Sequence, residues 1–238
     1  MTILLTLHDI SKIGAFKGLP AFFEVSVSYL EEDFARWVDF DKSARVANHS
    51  VDGAIELMPI SDIILYSFKY VNGHPKNTNA GLPTVMAFGV LANVENGSPE
   101  MFSELTLTTA MRTAATSVMV ARRLARTDSR VMVLIGNGAQ SEFQALAFHL
   151  LMGIEEVRLF DVDAAATAKL VGNLKCAAPN LALFVCASTA EAVRGSDIVT
   201  TETADKTNAT IITPEMPRTR YAYQRCRRRL HWKDRIAR

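Results

Sequence analysis

Three cations stand among otherwise uncharged residues of strand-like or helix-like segments: Arg45, Lys69 and Arg112. A guanidinium is planar and meets a carboxylate through two parallel hydrogen bonds, whereas a lysine adds a point charge. Arg112 falls in the first turns of a helical segment, where amide dipoles add to its pull on an anion. The three would suit a carboxylate-bearing ligand, and spacing alone equally allows ordinary surface ion pairs. A second group points to other chemistry. In VMVLIGNGAQSEFQALAFHLLMG, Val131 to Gly153, an unbroken apolar run leads into Gly136-Asn137-Gly138, and helical apolar spacing begins at Ser141. Strand, glycine turn and helix in that order open a dinucleotide-binding unit. The glycines let the backbone approach a pyrophosphate, and free amides at the helix start bind it with the dipole's positive end. Ser141 occupies the place of the third glycine of GxGxxG. Asp161 closes VRLFD about twenty residues after the loop, where a carboxylate accepts hydrogen bonds from an adenosine ribose. It would also repel a 2′-phosphate, favouring NAD over NADP. Asp161 and Asp163 could instead cap the helix expected from Ala164.

The elements around these residues follow from periodicity. Leu19 to Trp37 reads as an amphipathic helix with Pro20 in its first turn and Phe23, Val27, Leu30 and Phe34 as its buried stripe. Strand-like pieces follow at 45–47, 54–58, 66–71, 84–94 and 101–105. Turn signals stand at Asp52-Gly53, Asn72-Gly73 and Asn96-Gly97. A long helix is expected from Thr108 to Arg126, with threonines capping its start and arginines at its negative end. Beyond VRLFD, helices at 164–174 and 189–193 alternate with strands at 181–186 and 197–201, and Ala209 to Met216 should lead into a further strand.

Apolar residues make up 49% of the 238, which indicates a globular core, and no run approaches the roughly twenty residues of a membrane span. MTILLTLHD reaches Asp9 before a signal-peptide core could form, so a cytoplasmic location is expected. Three cysteines (Cys176, Cys186, Cys226) without metal-ligand spacing suggest reduced thiols and no metal. The net charge of +1 hides an asymmetry: nine of the 26 Lys+Arg and one of the 25 acids lie from Pro217 onward. A body of net −7 is joined to a tail of +8.

DKSARVANHS, IELMP, FKYVNGHPKNT, GLPTVMAFGVLANV, SELTLTTAMRTAATS, GNGAQSEFQALAFH and TADKTNATIITPEM resemble the bacterial ornithine cyclodeaminases of the mu-crystallin family. The resemblance runs almost without gaps from about Phe34 to Met216. It implies an α/β fold: a mixed α+β substrate-binding and dimerisation domain at 1–112, then an incomplete Rossmann-type doubly wound parallel sheet at 113–216 that binds NAD. An aberrant basic tail at 217–238 completes the chain. By motif, Arg45, Lys69 and Arg112 would hold the α-carboxylate of L-ornithine. Thr84, Asp161 and Thr203 would contact NAD together with Gly136, Gly138, Ala139 and Gln140 of the glycine loop. Glu56 of IELMP is a weaker catalytic candidate, or a cross-strand partner of Lys69. The implied partners are L-ornithine and a second copy of the chain, with neither nucleic acid nor membrane. The implied reaction converts L-ornithine to L-proline and ammonia, a lyase reaction in which the hydride taken from Cα is later returned. Ketimine reduction, alanine dehydrogenation and nucleotide binding without catalysis are the alternatives that the family offers.

Ring closure needs a deprotonated δ-amine, a general-base task that the family gives to an aspartate in a GGDCxGKTEL-type motif. That motif is absent, and PRTRYAYQRCRRRLHWKDRIAR stands in its place. Codons chosen for Tyr221 to Ile236 and read from two bases earlier spell GMHINAVGGDCIGKTE, so one extra base near Pro217 would produce the tail. On that reading no catalytic group survives, Asp234 lies out of context, and the strand at 197–201 is left as an unpaired apolar edge.

Overall fold

A computed structural model describes residues 1–203, 211–213 and 222–225. The chain divides into two compact units, Met1–Thr113 and Ala114–Arg238, the division falling within the third helix. The segment 209–216 lies outside the described residues except for 211–213, and the tail outside them except for 222–225. Among the described residues no helix is long and apolar enough to cross a membrane.

In the first unit the order is β1 (Ile3–Leu5), α1 (Leu7–Lys17), α2 (Leu19–Ala35), β2 (Asp41–Lys42), β3 (Val46–His49), β4 (Ala54–Ser61), β5 (Leu65–Gly73), β6 (Ala87–Asn93), β7 (Pro99–Glu104) and α3 (Thr106–Leu124). The sheet runs β1-β7-β6-β5-β4-β2, with β3 also paired to β4. Its pairs are antiparallel except β1 with β7. Phe23 and Val27 of α2 are buried as the stripe requires, whereas Phe34 is 51% exposed. The helix ends one residue later, and Phe34 stacks on Trp37, 5.8 Å between ring centres, instead of entering the core.

Two further expectations need correction here, and one helix stands where none is expected. Asn72-Gly73 makes no turn: both residues extend β5, opposite Ile55 and Ala54. The Asn72 side chain accepts the Met86 N–H and its own N–H reaches the Met86 carbonyl, so extended backbone continues where the dipeptide suggests reversal. Helix α1 was not foreseen from apolar spacing; Thr6 and Asp9 cap it reciprocally, each side chain taking the other's backbone N–H. Helix α3 begins at Thr106, before the expected threonine caps. Glu104 accepts the Thr106 N–H, while the Thr106 hydroxyl accepts the Ala87 N–H at 2.9 Å.

The second unit contains β8 (Val131–Ile135), α4 (Ser141–Met152), β9 (Glu156–Phe160), α5 (Ala164–Ala177), β10 (Ala182–Val185), α6 (Thr189–Val193), β11 (Ile198–Thr201) and β12 (Ala222–Arg225). All pairs are parallel, in the order β10-β9-β8-β11-β12. That order reverses between β8 and β11, the crevice where doubly wound sheets bind nucleotides. Met132, Val133 and Leu134 are fully buried, as a central parallel strand with both faces covered must be.

The expected bare edge is not there. Residues 222–225 of the basic tail lie beside β11, Ile198 opposite Ala222 and Thr201 opposite Arg225. Pairing uses backbone groups that almost any sequence carries, and two side chains add to it. The Tyr223 hydroxyl lies 3.2 Å from that of Thr201, and the Gln224 amide donates to the Ser117 carbonyl at 2.8 Å.

Candidate active site

The first unit gathers the cations. Across β4 and β5, Glu56 is opposite Val71 and Met58 opposite Lys69, which makes Glu56 and Lys69 diagonal neighbours on one sheet face. Arg45 stands just before β3, whose Ala47 is opposite Glu56, and its guanidinium donates to the Glu56 carboxylate at 3.1 Å. Glu56 therefore pairs with Arg45, not with Lys69 as one reading of the strands allowed. Lys69 is half-buried among these charges. Burial, with Arg112 and Arg45 adding to it and Glu56 opposing, lowers its pKa from 10.5 to about 8. Among the charges that act on this desolvated ammonium, Arg112 and Arg45 repel it and Glu56 attracts it. A second carboxylate, brought by a ligand, is the group that would relieve that repulsion. Thr84 also belongs to this unit, on the connection from β5 to β6, where its carbonyl accepts the His74 N–H at 2.8 Å.

In the second unit the glycine loop leaves β8 at the switch point. Gly136 has φ +93°, and a Cβ there would lie 2.9 Å from the backbone of Glu202 and Thr203, so side chains are excluded by neighbouring chain. Gly138 differs: a Cβ there would meet nothing within 4 Å. Gly138 and Ala139 are exposed at the crest, and Gln140 precedes the first turn of α4. An open crest before a helix start suits a pyrophosphate. Ser141, in the place of the third glycine, is fully buried and donates its hydroxyl proton to the Gly136 carbonyl at 2.7 Å. It fills the turn from within. Burial, only partly offset by the nearby Ser141 hydroxyl, raises the Glu202 carboxyl to about 8.

The two acids after β9 make different contacts. Asp163 caps α5, accepting the Ala165 and Ala166 N–H groups. Asp161, half-buried at the strand tip, accepts the Asp163 N–H at 2.9 Å and the Asn137 N–H at 2.5 Å. Asn137 and Thr167 were not singled out by sequence reasoning, and no spacing rule marks either. Asn137 is buried within the loop, and its side-chain amide donates to the Thr167 hydroxyl at 2.8 Å. Cys176 and Cys186 are free thiols, and Cys226 lies outside the described residues.

Comparison with known proteins gives the family. The chain matches the model of the ornithine cyclodeaminase/mu-crystallin family over residues 18–219. It is 57% identical over 199 residues to the ornithine cyclodeaminase of Brucella suis biovar 1 (strain 1330), covering 84% of this chain and 55% of that protein. The chain thus spans just over half the length of that relative. Among solved structures it resembles Thermococcus litoralis Δ1-pyrroline-2-carboxylate reductase in complex with NADH and L-proline, with 25% identity, TM-score 0.81, and 95% of this chain and 69% of that chain covered. It also resembles an archaeal alanine dehydrogenase dimer with bound NAD, at 27% identity and TM-score 0.74, covering 90% of this chain and 64% of that one. The chain belongs to the ornithine cyclodeaminase/mu-crystallin family.

Proposed function

We propose that this chain carries the amino-acid grip and the NAD site of an ornithine cyclodeaminase, and that its turnover is impaired by loss of the general base. The observation that carries the reading is the register that sets Glu56 and half-buried Lys69 on one sheet face, with Arg45 paired to Glu56. Arg45, Lys69 and Arg112 hold the α-carboxylate of L-ornithine, and Glu56 keeps Arg45 in place through their 3.1 Å ion pair. On the second unit, Asp161 orients the adenosine ribose, and Gly138, Ala139 and Gln140 present the crest of the loop to the pyrophosphate. Gly136 gives Thr203 room at the crossing. When bound, NAD supplies the acceptor of the Cα hydride and the donor that returns it. Closing the ring requires a deprotonated δ-amine. No GGDCxGKTEL-type aspartate follows Met216, and the tail's Asp234 lies outside the described residues.

The working unit we propose is a homodimer. Val46, Leu57, Tyr66, Phe88 and Phe102 fall on one face of the first sheet by register and are 39–63% exposed. An aromatic sheet face so open to water is suited to a second copy. Mass measurement in solution tests this: a dimer for the unchanged chain and a monomer for Leu57→Lys support it, and a monomeric unchanged chain contradicts it. The ligand assignment is tested by titration. NAD should bind in preference to NADP, and L-ornithine should bind where 1,4-diaminobutane, its counterpart without the carboxylate, does not. Equal binding of the two amines would contradict the carboxylate grip.

A further inference from the structure

We propose that Asp161 and Asn137 form one clamp, through which the carboxylate that reads the ribose also sets the position of the phosphate loop. The inference rests on the NAD reading above and concerns the protein's own hydrogen bonds at that site. The Gly136 N–H continues the register of β8 with β9 by donating to the Phe160 carbonyl at 2.9 Å. One residue on, the Asn137 N–H turns to an Asp161 carboxylate oxygen. The other oxygen of Asp161 is engaged by the Asp163 N–H, the residue that caps α5. The Asn137 side chain completes the link by donating to Thr167, whose hydroxyl in turn donates to the Asp163 carbonyl at 3.3 Å. Asn137 and Thr167 are 3% and 4% exposed, so water competes little for these bonds. Beyond this tied residue Gly138 has open space on its side-chain face. Asn137 is therefore held from the β9–α5 side among the contacts described for it, Ser141 holds Gly136 from the helix side, and the side-chain face of Gly138 is left open.

Two consequences follow. Substitution at 161 to admit a 2′-phosphate should loosen the pyrophosphate cradle at the same time, so it lowers NAD affinity without a matching gain for NADP. Thr167, which the ribose has no need to touch, should influence nucleotide binding through Asn137 as a positioning residue.

The test compares NAD with its analogue lacking the adenosine 2′- and 3′-hydroxyls, and measures amide hydrogen exchange of residues 136–140 in the nucleotide-free protein. Asp161→Ala should weaken the analogue by about tenfold, the worth of one charge-assisted hydrogen bond, and NAD by more. Thr167→Val should weaken NAD and the analogue equally, and Thr167→Ser, which keeps the hydroxyl, should restore both. Loop exchange should quicken in Asp161→Ala and Thr167→Val and return to its original rate in Thr167→Ser. Unchanged exchange in the Ala and Val variants, with analogue affinity also unchanged, would overturn the clamp. If the unchanged protein binds no NAD, the NAD reading fails while exchange in the nucleotide-free protein still decides on the clamp.

Discussion

The amino-acid grip and the nucleotide loop are built on opposite principles. The proposed grip is an arrangement of charged side chains, two of them ion-paired, organised by strand register. The loop is an arrangement of backbone, in which a glycine avoids neighbouring chain, a buried serine fills the turn and amides reach for fixed acceptors. The first is poised to gain from a ligand's charge. The second is finished before a ligand arrives.

That contrast breaks most visibly at the glycines. Gly136→Ala should cost about 2–4 kcal/mol of stability in denaturant unfolding, since it combines positive φ with a backbone clash. Gly138→Ala should leave stability within about 0.5 kcal/mol and weaken NAD alone. Equal stabilities for the two would remove the distinction between a structural and a ligand-facing glycine. Arg112→Ala tests the other side: L-ornithine should bind roughly 10–100-fold more weakly with NAD affinity unchanged, as measured by calorimetry.

A smaller effect follows from the pKa of Lys69, about 8. A carboxylate favours the charged ammonium, so ornithine affinity should be flat below pH 8 and fall by up to about tenfold per unit above it. Lys69→Arg should flatten that profile. The contribution of Lys69 to stability runs the other way. The unfolded lysine keeps its proton to 10.5 and the folded one only to about 8, so folding gains stability as pH rises between those values. An ornithine profile without a step near pH 8 would contradict the placement of Lys69. The smallest expected effect concerns the tail strand: Tyr223→Phe should cost about 0.5–1 kcal/mol, the worth of one hydrogen bond to Thr201.

The loop was the more legible of the two regions because its signal is local. Five apolar residues, two glycines and a helix start are contiguous, so Val131–Ile135 and Ser141–Met152 could be read directly. The cations were visible as residues, but their convergence depends on pairing between β3, β4 and β5, which spacing along the chain does not encode. The same blindness assigned Asn72-Gly73 to a turn, since the bonds to Met86 that keep it extended come from 14 residues away. Thr167 was invisible for that reason too, lying 30 residues from Asn137. The bare edge expected at β11 failed differently. It assumed that an unrelated sequence could not pair, whereas a parallel ladder asks chiefly for extended backbone, which residues 222–225 supply.

The proposed function holds that both grips are present and the base is not. It is tested most directly by measuring proline released from L-ornithine by the purified chain with saturating NAD. The expected result is no release above the enzyme-free control, in a sample shown by titration to bind both ligands. Release at the rate of a full-length ornithine cyclodeaminase would contradict it.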